Sequence, residues 1–421
     1  MELALVLTYI ALNLLSPADM LPGLAVFRPM LMLALVSLPV LVLTRLSSPE
    51  IGKLRTQFIL VILFFGWACC SWLPHGWLGG NVNTLLALSP TVIAYLMGVM
   101  FLRSPFRLHV VRVTLVLVAI FVMASAFSQI PYVRATGDST AYVMAALEAD
   151  HSNGVRIRGL GMLNDPNQFG QYLVMILPML FASRKENGLG PRYLMAIPIA
   201  GLFLVGVYLT GSRGAEMGVA LLLGLFLTRR FKTTGALVSA VFGSLLLLVF
   251  NATRTRSISM SGGMDRLAIW SDGMSYVKSS PLWGIGFNGF TDRQGMTAHN
   301  SYLLCAAELG LVGLFLWMSI MVVTMIQLNR VPKVVGKSNP ALAQWAVALR
   351  LSLGTYLFTS FFLSRTYELP LFLLLGMSGA VIVAAGGDEA TLWGSKWPVW
   401  TLGLCAGILA LIYVMLRLRV V

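Results

Sequence analysis

The chain has 421 residues, of which 57% are hydrophobic and 11% charged, and it carries a net charge of +14. A soluble protein of this length cannot keep so much apolar surface from water, and its repeated apolar runs of about 17–25 residues are long enough to span a bilayer. The basic excess reads as the positive-inside bias of membrane loops, and no nucleic-acid partner is expected. In chain order the apolar runs fall near 2–16, 24–44, 57–73, 84–102, 110–128, 167–183, 193–210, 214–228, 235–250, 301–327, 345–363, 369–385 and 397–416. This predicts an all-α polytopic membrane protein of about 12 (12–13) transmembrane helices. It forms a single integral membrane domain over 1–421, with one large outward-facing loop at 251–300 carrying short helices.

The first run, MELALVLTYIALNLLS, lacks a basic leader and a small-residue cleavage site, so it reads as an uncleaved span. The four cysteines, Cys69, Cys70, Cys305 and Cys405, all lie in apolar runs and read as small core residues rather than a disulfide frame or metal site. The connections 45–55, 103–112, 184–192, 229–232 and 330–350 hold eleven Arg and five Lys and each follows an even-numbered span. This puts them, and the N-terminus, in the cytoplasm. A thirteenth span would leave Arg417 and Arg419 outside, against that trend.

On the opposite side stand Arg28, Arg134, Arg156, Arg158, Arg213, Arg254, Arg256, Arg266, Arg293 and Arg365, against Lys278 alone. Guanidinium is planar, always charged and able to donate two parallel hydrogen bonds, so an Arg-biased outer face fits phosphate. Pairing with lipid headgroups is the plainer reading for any one of them.

Three polar segments concentrate the chemistry. In RIRGLGMLNDPNQFG (156–170), Arg156 and Arg158 precede a Gly-rich turn, and Asp165-Pro166 reads as an N-cap followed by Pro at the first helical position. In VYLTGSRGAE (207–216), Thr210-Gly211-Ser212 is a tight turn, and Arg213 sits in the first turn of the next helix, where anions are favoured. Glu216 shares its face three residues on, so a structural Arg213–Glu216 pair is the alternative. The third segment is DRLAIWSDGMSYVKSSPLWGIGFNGFTDRQGMTAHNSYLLCAAELGLVG (265–313). Residues 265–278 can form an amphipathic helix with Leu267, Trp270, Met274 and Val277 on one face, which would carry Arg266 to the membrane boundary. Trp270 and Phe290 read most simply as interfacial anchors. Asn300 or Ser301 can cap the following helix, placing His299 at its positive end, where a neutral, proton-accepting imidazole suits a general base. Glu308, about 13 Å along that helix, needs a partner, for which an arginine is the natural candidate. His75, His109 and His151 have no comparable setting.

These residues resemble the large outer loop of the bacterial O-antigen ligase and O-antigen polymerase superfamily, strongest at 208–216 and 265–313. The resemblance implies an inverting glycosyl transfer from undecaprenyl diphosphate to an acceptor hydroxyl at the periplasmic face of the inner membrane. It implies that Arg213, in the Ser-Arg-Gly turn, holds the diphosphate and that the His-Asn pair is important. Arg266 and Arg158 would add to the anion site, with Glu216, Asn300, Glu308 and Trp270 in support. Lipid A–core is the preferred acceptor, as for a ligase; a polymerase would use a second lipid-linked repeat, and a third variant a protein hydroxyl. A polyprenyl-lipid transporter is the reading from another class, disfavoured because the informative charges cluster at span ends rather than the midplane. No cofactor and no metal are expected, since the outer loops hold no His/Cys cluster, DxD, P-loop or GxGxxG.

Overall fold

The computed structural model describes residues 2–17, 22–25, 32–34, 36–37, 39–40, 54–136, 147–149, 155–182, 190–228, 231, 260–387 and 395–418. Most of the run expected at 24–44, all of 235–250, and Arg28, Arg254 and Arg256 lie outside the described residues. The described residues are mostly helical, with one short two-stranded ribbon among them. Among the described residues, five helical stretches are long and apolar enough to cross a membrane: Arg55–His75, Leu78–Phe101, Pro105–Val133, Ser301–Val335 and Trp397–Leu418. Glu2–Leu15, Leu194–Thr210 and Leu369–Ala384 are shorter apolar helices. The chain is thus a multi-pass membrane protein.

The residues sort into two compact units, each discontinuous in sequence. The first comprises Met1–Ser37, Ser104–Ser257 and Asn339–Thr359. It contains α1 (Glu2–Leu15), α4 (Pro105–Thr136), the strands β1 (Leu147–Ala149) and β2 (Val155–Ile157), α5 (Pro166–Leu180), α6 (Gly190–Thr210), α7 (213–228) and α11 (Pro340–Thr359). The second comprises Leu38–Arg103, Ile258–Ser338 and Ser360–Val421. It contains α2 (Arg55–Cys69), α3 (Leu78–Phe101), α8 (Met260–Ser279), α9 (Gly289–Gln294), α10 (Ser301–Val335), α12 (Leu369–Ala384) and α13 (Trp397–Leu418).

In the first unit α5 packs between α6 and α11. Asp165 begins it as read from the sequence: its carboxylate accepts the Gln168 N–H at 2.8 Å, and Pro166 needs no N–H partner there. Its other end is closed by Arg112 from α4, which donates to the carbonyls of Met179 (2.9 Å) and Ala182 (2.8 Å). A cation at a helix C-terminus satisfies orphan carbonyls and opposes the dipole. Gln171 pins α5 to α11 through the Tyr356 carbonyl and the Thr359 hydroxyl. Part of the stretch between the expected spans 110–128 and 167–183 is regular: α4 runs on to Thr136, and β1 pairs antiparallel with β2, Glu148 opposite Arg156. Three-residue strands leave too little alternation to detect in a sequence.

In the second unit α3 and α12 cross at glycines. A Cβ on Gly98 would lie 2.8 Å from the Gly376 backbone, so only Gly permits that approach. A buried polar chain links α3, α2 and α10: Tyr95 donates to Gln57, and Gln57 donates to Thr324 at 2.6 Å. The run expected at 301–327 is the long helix α10, but it is broken at Gly310, whose φ of 68° and ψ of −175° are not helical.

Candidate functional site

The sequence-derived residues divide between the two units. Arg158, Arg213 and Glu216 belong to the first; Arg266, Trp270, His299, Asn300 and Glu308 belong to the second.

In the first unit, Gly211 turns the chain at φ +66° between α6 and α7. Ser212 caps α7, its Oγ accepting the Ala215 N–H at 3.3 Å. Arg213 then occupies the first helical position and is exposed, whereas Glu216 is buried. The Arg213–Glu216 pair therefore does not form, and Arg213 is open to solvent in the first turn of α7. Gly170 makes the turn compact, since a Cβ there would fall 2.8 Å from that of Ala215. Arg156 is structural: its Nε donates to the Thr210 carbonyl at 2.8 Å and ties β2 to the turn. Arg158, half-buried, follows two residues later on the same side of the extended chain. Gly161, at φ +56°, closes the segment against the end of α1.

In the second unit, His299 immediately precedes Asn300, the residue before α10. Its φ is 51°, a left-handed conformation uncommon outside glycine. The expected cap is Asn300, whose side-chain oxygen accepts the N–H groups of Tyr302 and Leu303, both at 3.0 Å. His299 is half-exposed while both its neighbours are buried. Three anchors fix it. Trp270 donates its indole N–H to the Ala298 carbonyl at 2.9 Å. Ser301 Oγ donates to the Leu363 carbonyl at 2.6 Å and accepts the Arg365 N–H at 2.7 Å. The Ser301 carbonyl accepts the Thr366 hydroxyl at 2.8 Å.

Two expectations about this region are corrected. Trp270 and Phe290 are not interfacial anchors: they are 2% and 0% exposed, and Phe290 meets Tyr276 edge-on. The amphipathic helix is present as α8, but Trp270, Gly273 and Val277 turn inward, and α8 packs on α10 and α13. Arg266 lies one turn before Trp270 on α8 and is half-buried. Nor is an arginine the partner of Glu308. Its carboxylate accepts the Phe290 N–H at 3.3 Å and lies beside Tyr367. Burial pushes the Tyr367 phenol well above the usual tyrosine range, and the neighbouring Glu308 adds to the rise.

The break at Gly310 explains the glycines of PLWGIGFNGF. A broken helix leaves three carbonyls without their usual donors, and each finds another. Ala307 accepts from Ile285 N–H (2.9 Å), Glu308 from Gly286 N–H (3.0 Å) and Leu309 from the Trp67 indole (2.8 Å). The freed Leu311 N–H donates to the Pro281 carbonyl at 2.7 Å. Gly284 and Gly310 are obligatory, because a Cβ on either would come within 2.3 Å of backbone. The end of α2 and the segment after it complete the frame: Trp72 donates to the Phe287 carbonyl, His75 to the Gly284 carbonyl, and Trp67 stacks on Trp283 at 4.2 Å. Sequence reasoning missed Trp67, Trp72 and Thr366, set His75 aside, and read Ser301 only as a possible cap; a Trp-rich stretch next to an outer loop was the sign available. Among the described residues no three His, Cys, Asp or Glu side chains converge as a metal site.

No curated protein matches the chain. Residues 198–318, which include the Arg213 turn, α8, the PLWGIG loop and the His299–Gly310 segment, match the family model described as O-antigen ligase, and this supports the O-antigen ligase and polymerase superfamily for this chain.

Proposed function

We propose that the chain, as one integral domain of the bacterial inner membrane, transfers a glycan from undecaprenyl diphosphate to a hydroxyl of lipid A–core at the periplasmic face. The observation that carries this reading is His299: a half-exposed imidazole held at a left-handed φ by its neighbours, inside the segment matched to the O-antigen ligase family. Non-glycine residues in that conformation persist where the surroundings over-determine them, and they cluster at functional sites.

In the proposed reaction the acceptor oxygen attacks the anomeric carbon from the face opposite the diphosphate. The new C–O bond forms as the old one breaks, and configuration inverts. His299 orients the hydroxyl and takes its proton. Undecaprenyl diphosphate leaves, its developing charge met by the exposed Arg213 together with Arg266 and Arg158. The donor's phosphate ester supplies the driving force, so neither nucleotide nor cofactor is required. Glu216, Asn300, Glu308 and Trp270 support these groups from behind. The second reading, a polymerase joining lipid-linked repeats, uses the same donor chemistry with another acceptor.

Reconstitution of purified protein with lipid-linked glycan and lipid A–core is the test. His299→Ala is expected to abolish transfer while the protein still binds undecaprenyl diphosphate. Near-normal turnover by well-folded variant would reject His299 as the base. Transport of labelled carrier without glycosyl transfer would reject the enzyme reading.

A further inference from the structure

Far along α10 from His299, the second unit contains a recess unrelated to the proposed chemistry. It holds about 100 Å³ between the end of α10 and the end of α12. Gln327, Arg330, Val331 and Val334 line one side, and Ile382 and Ala385 the other. Gln327 lies 17 residues beyond the break at Gly310, roughly 26 Å of helical rise, so the recess is remote from His299.

Gln327 makes this more than a packing defect. It is 3% exposed, yet neither its amide nitrogen nor its amide oxygen has a hydrogen-bond partner. One turn earlier, Thr324 accepts from Gln57 and donates to the Ile320 carbonyl. An unpaired buried amide is costly, and Gln327 lines the recess. Arg330 shares its helix face three residues on, and Lys333 and Lys337 follow on the exposed end. From Leu309 to Tyr367 the sequence holds no acidic residue, while Asp388 and Glu389 follow Gly387 outside the described residues. The α12 side is closed by a Schellman turn, Gly387 N–H to Ile382 and Gly386 N–H to Val383, which leaves its wall apolar.

We propose that this recess binds the phosphodiester of a membrane phospholipid, with the Gln327 amide and the Arg330 guanidinium as donors. The volume equals that of about three waters, enough for one phosphate group. Val331, Val334 and Ile382 offer the glycerol and first methylenes an apolar wall. Basic pockets between helix ends at a membrane surface suit lipid headgroups. The apolar wall favours the bilayer over free inorganic phosphate as the source.

Full-length protein in detergent, stripped of lipid, is titrated with short-chain phosphatidylglycerol and, in parallel, with inorganic phosphate, and read by native mass spectrometry. One lipid per chain is expected, with affinity lowered roughly tenfold or more in Gln327→Leu and in Arg330→Gln. Gln327→Leu removes an unpaired polar group, so it is expected to melt no lower than wild type and separates binding from folding. Gln327→Glu keeps the shape, repels phosphate and is expected to lose the lipid as well. Equal lipid affinity in wild type and both neutral variants overturns the proposal. So does absence of any lipid adduct on wild type, which would mean the recess holds water. Inorganic phosphate binding as tightly as the lipid overturns the lipid source.

Discussion

His299 sits one residue before the cap of a helix that is tethered and buried, and its own backbone carries the unfavourable φ. The cap is the part that can be removed without touching the imidazole. Asn300→Ala deletes the acceptor for two N–H groups and is expected to cost about 1 kcal/mol of stability. Because the capped turn sets where His299 points, transfer is expected to fall by more than stability does. Thermal melts and transfer assays on the same preparation check this, and parallel losses would make Asn300 purely structural. At Arg213 the contrast with Glu216 matters: one side chain faces solvent and the other the interior. Arg213→Lys keeps the charge but loses the fork, and is expected to weaken undecaprenyl diphosphate binding roughly tenfold. Unchanged affinity, measured directly, would remove Arg213 from the anion site. Both residues were legible in the sequence, because a cap and a Gly-Ser-Arg turn are local features. The bond between Ser301 and Thr366 was not, since the two meet across 65 positions.

Two elements behave differently from their hydropathy. The segment around Gly310 reads as uninterrupted membrane helix, yet the helix stops and restarts there, and the PLWGIG loop supplies the missing backbone partners. Apolar composition cannot report such a break. The only trace was a polar Glu308 and a glycine in a greasy run, whose meaning depends on a loop twenty-odd residues upstream. Gly310→Ala forces a left-handed φ on a Cβ that would sit 2.1 Å from the Leu282 carbonyl oxygen. It is expected to destabilise the protein by more than about 2 kcal/mol, and to loosen the 281–290 loop. Hydrogen exchange would show loss of protection at Ile285, Gly286 and Leu311, and retained protection would show that the break tolerates a side chain. Amphipathicity misled in the same way for α8: its apolar stripe was correctly located, but a stripe does not say whether lipid or protein covers it. Here α10 and α13 lie against α8.

For the whole molecule, composition and hydropathy gave the helical membrane class, and the polar segments pointed to the family later matched at 198–318. The division into two discontinuous units was not legible, because it depends on which helices meet rather than on any property of one run. Ligase and polymerase share the donor, the diphosphate and the proton transfer, so they differ only in what brings the attacking hydroxyl. A ligase must admit a second, different amphiphile, and this requires an opening to the outer leaflet beside His299, for which α8 is the proposed rim. A polymerase must seat two copies of one carrier lipid. Loss of the gene separates these demands. Loss of a ligase strands long glycan chains on the carrier and leaves bare lipid A–core at the surface. Loss of a polymerase still permits ligation, but of one repeat at a time. We expect the first pattern, long carrier-linked chains with unsubstituted lipid A–core on gels of extracted glycolipid, restored by the wild-type gene and not by His299→Ala. A band of lipid A–core bearing a single repeat would instead make the chain a polymerase, with the same residues performing the same displacement on a different hydroxyl.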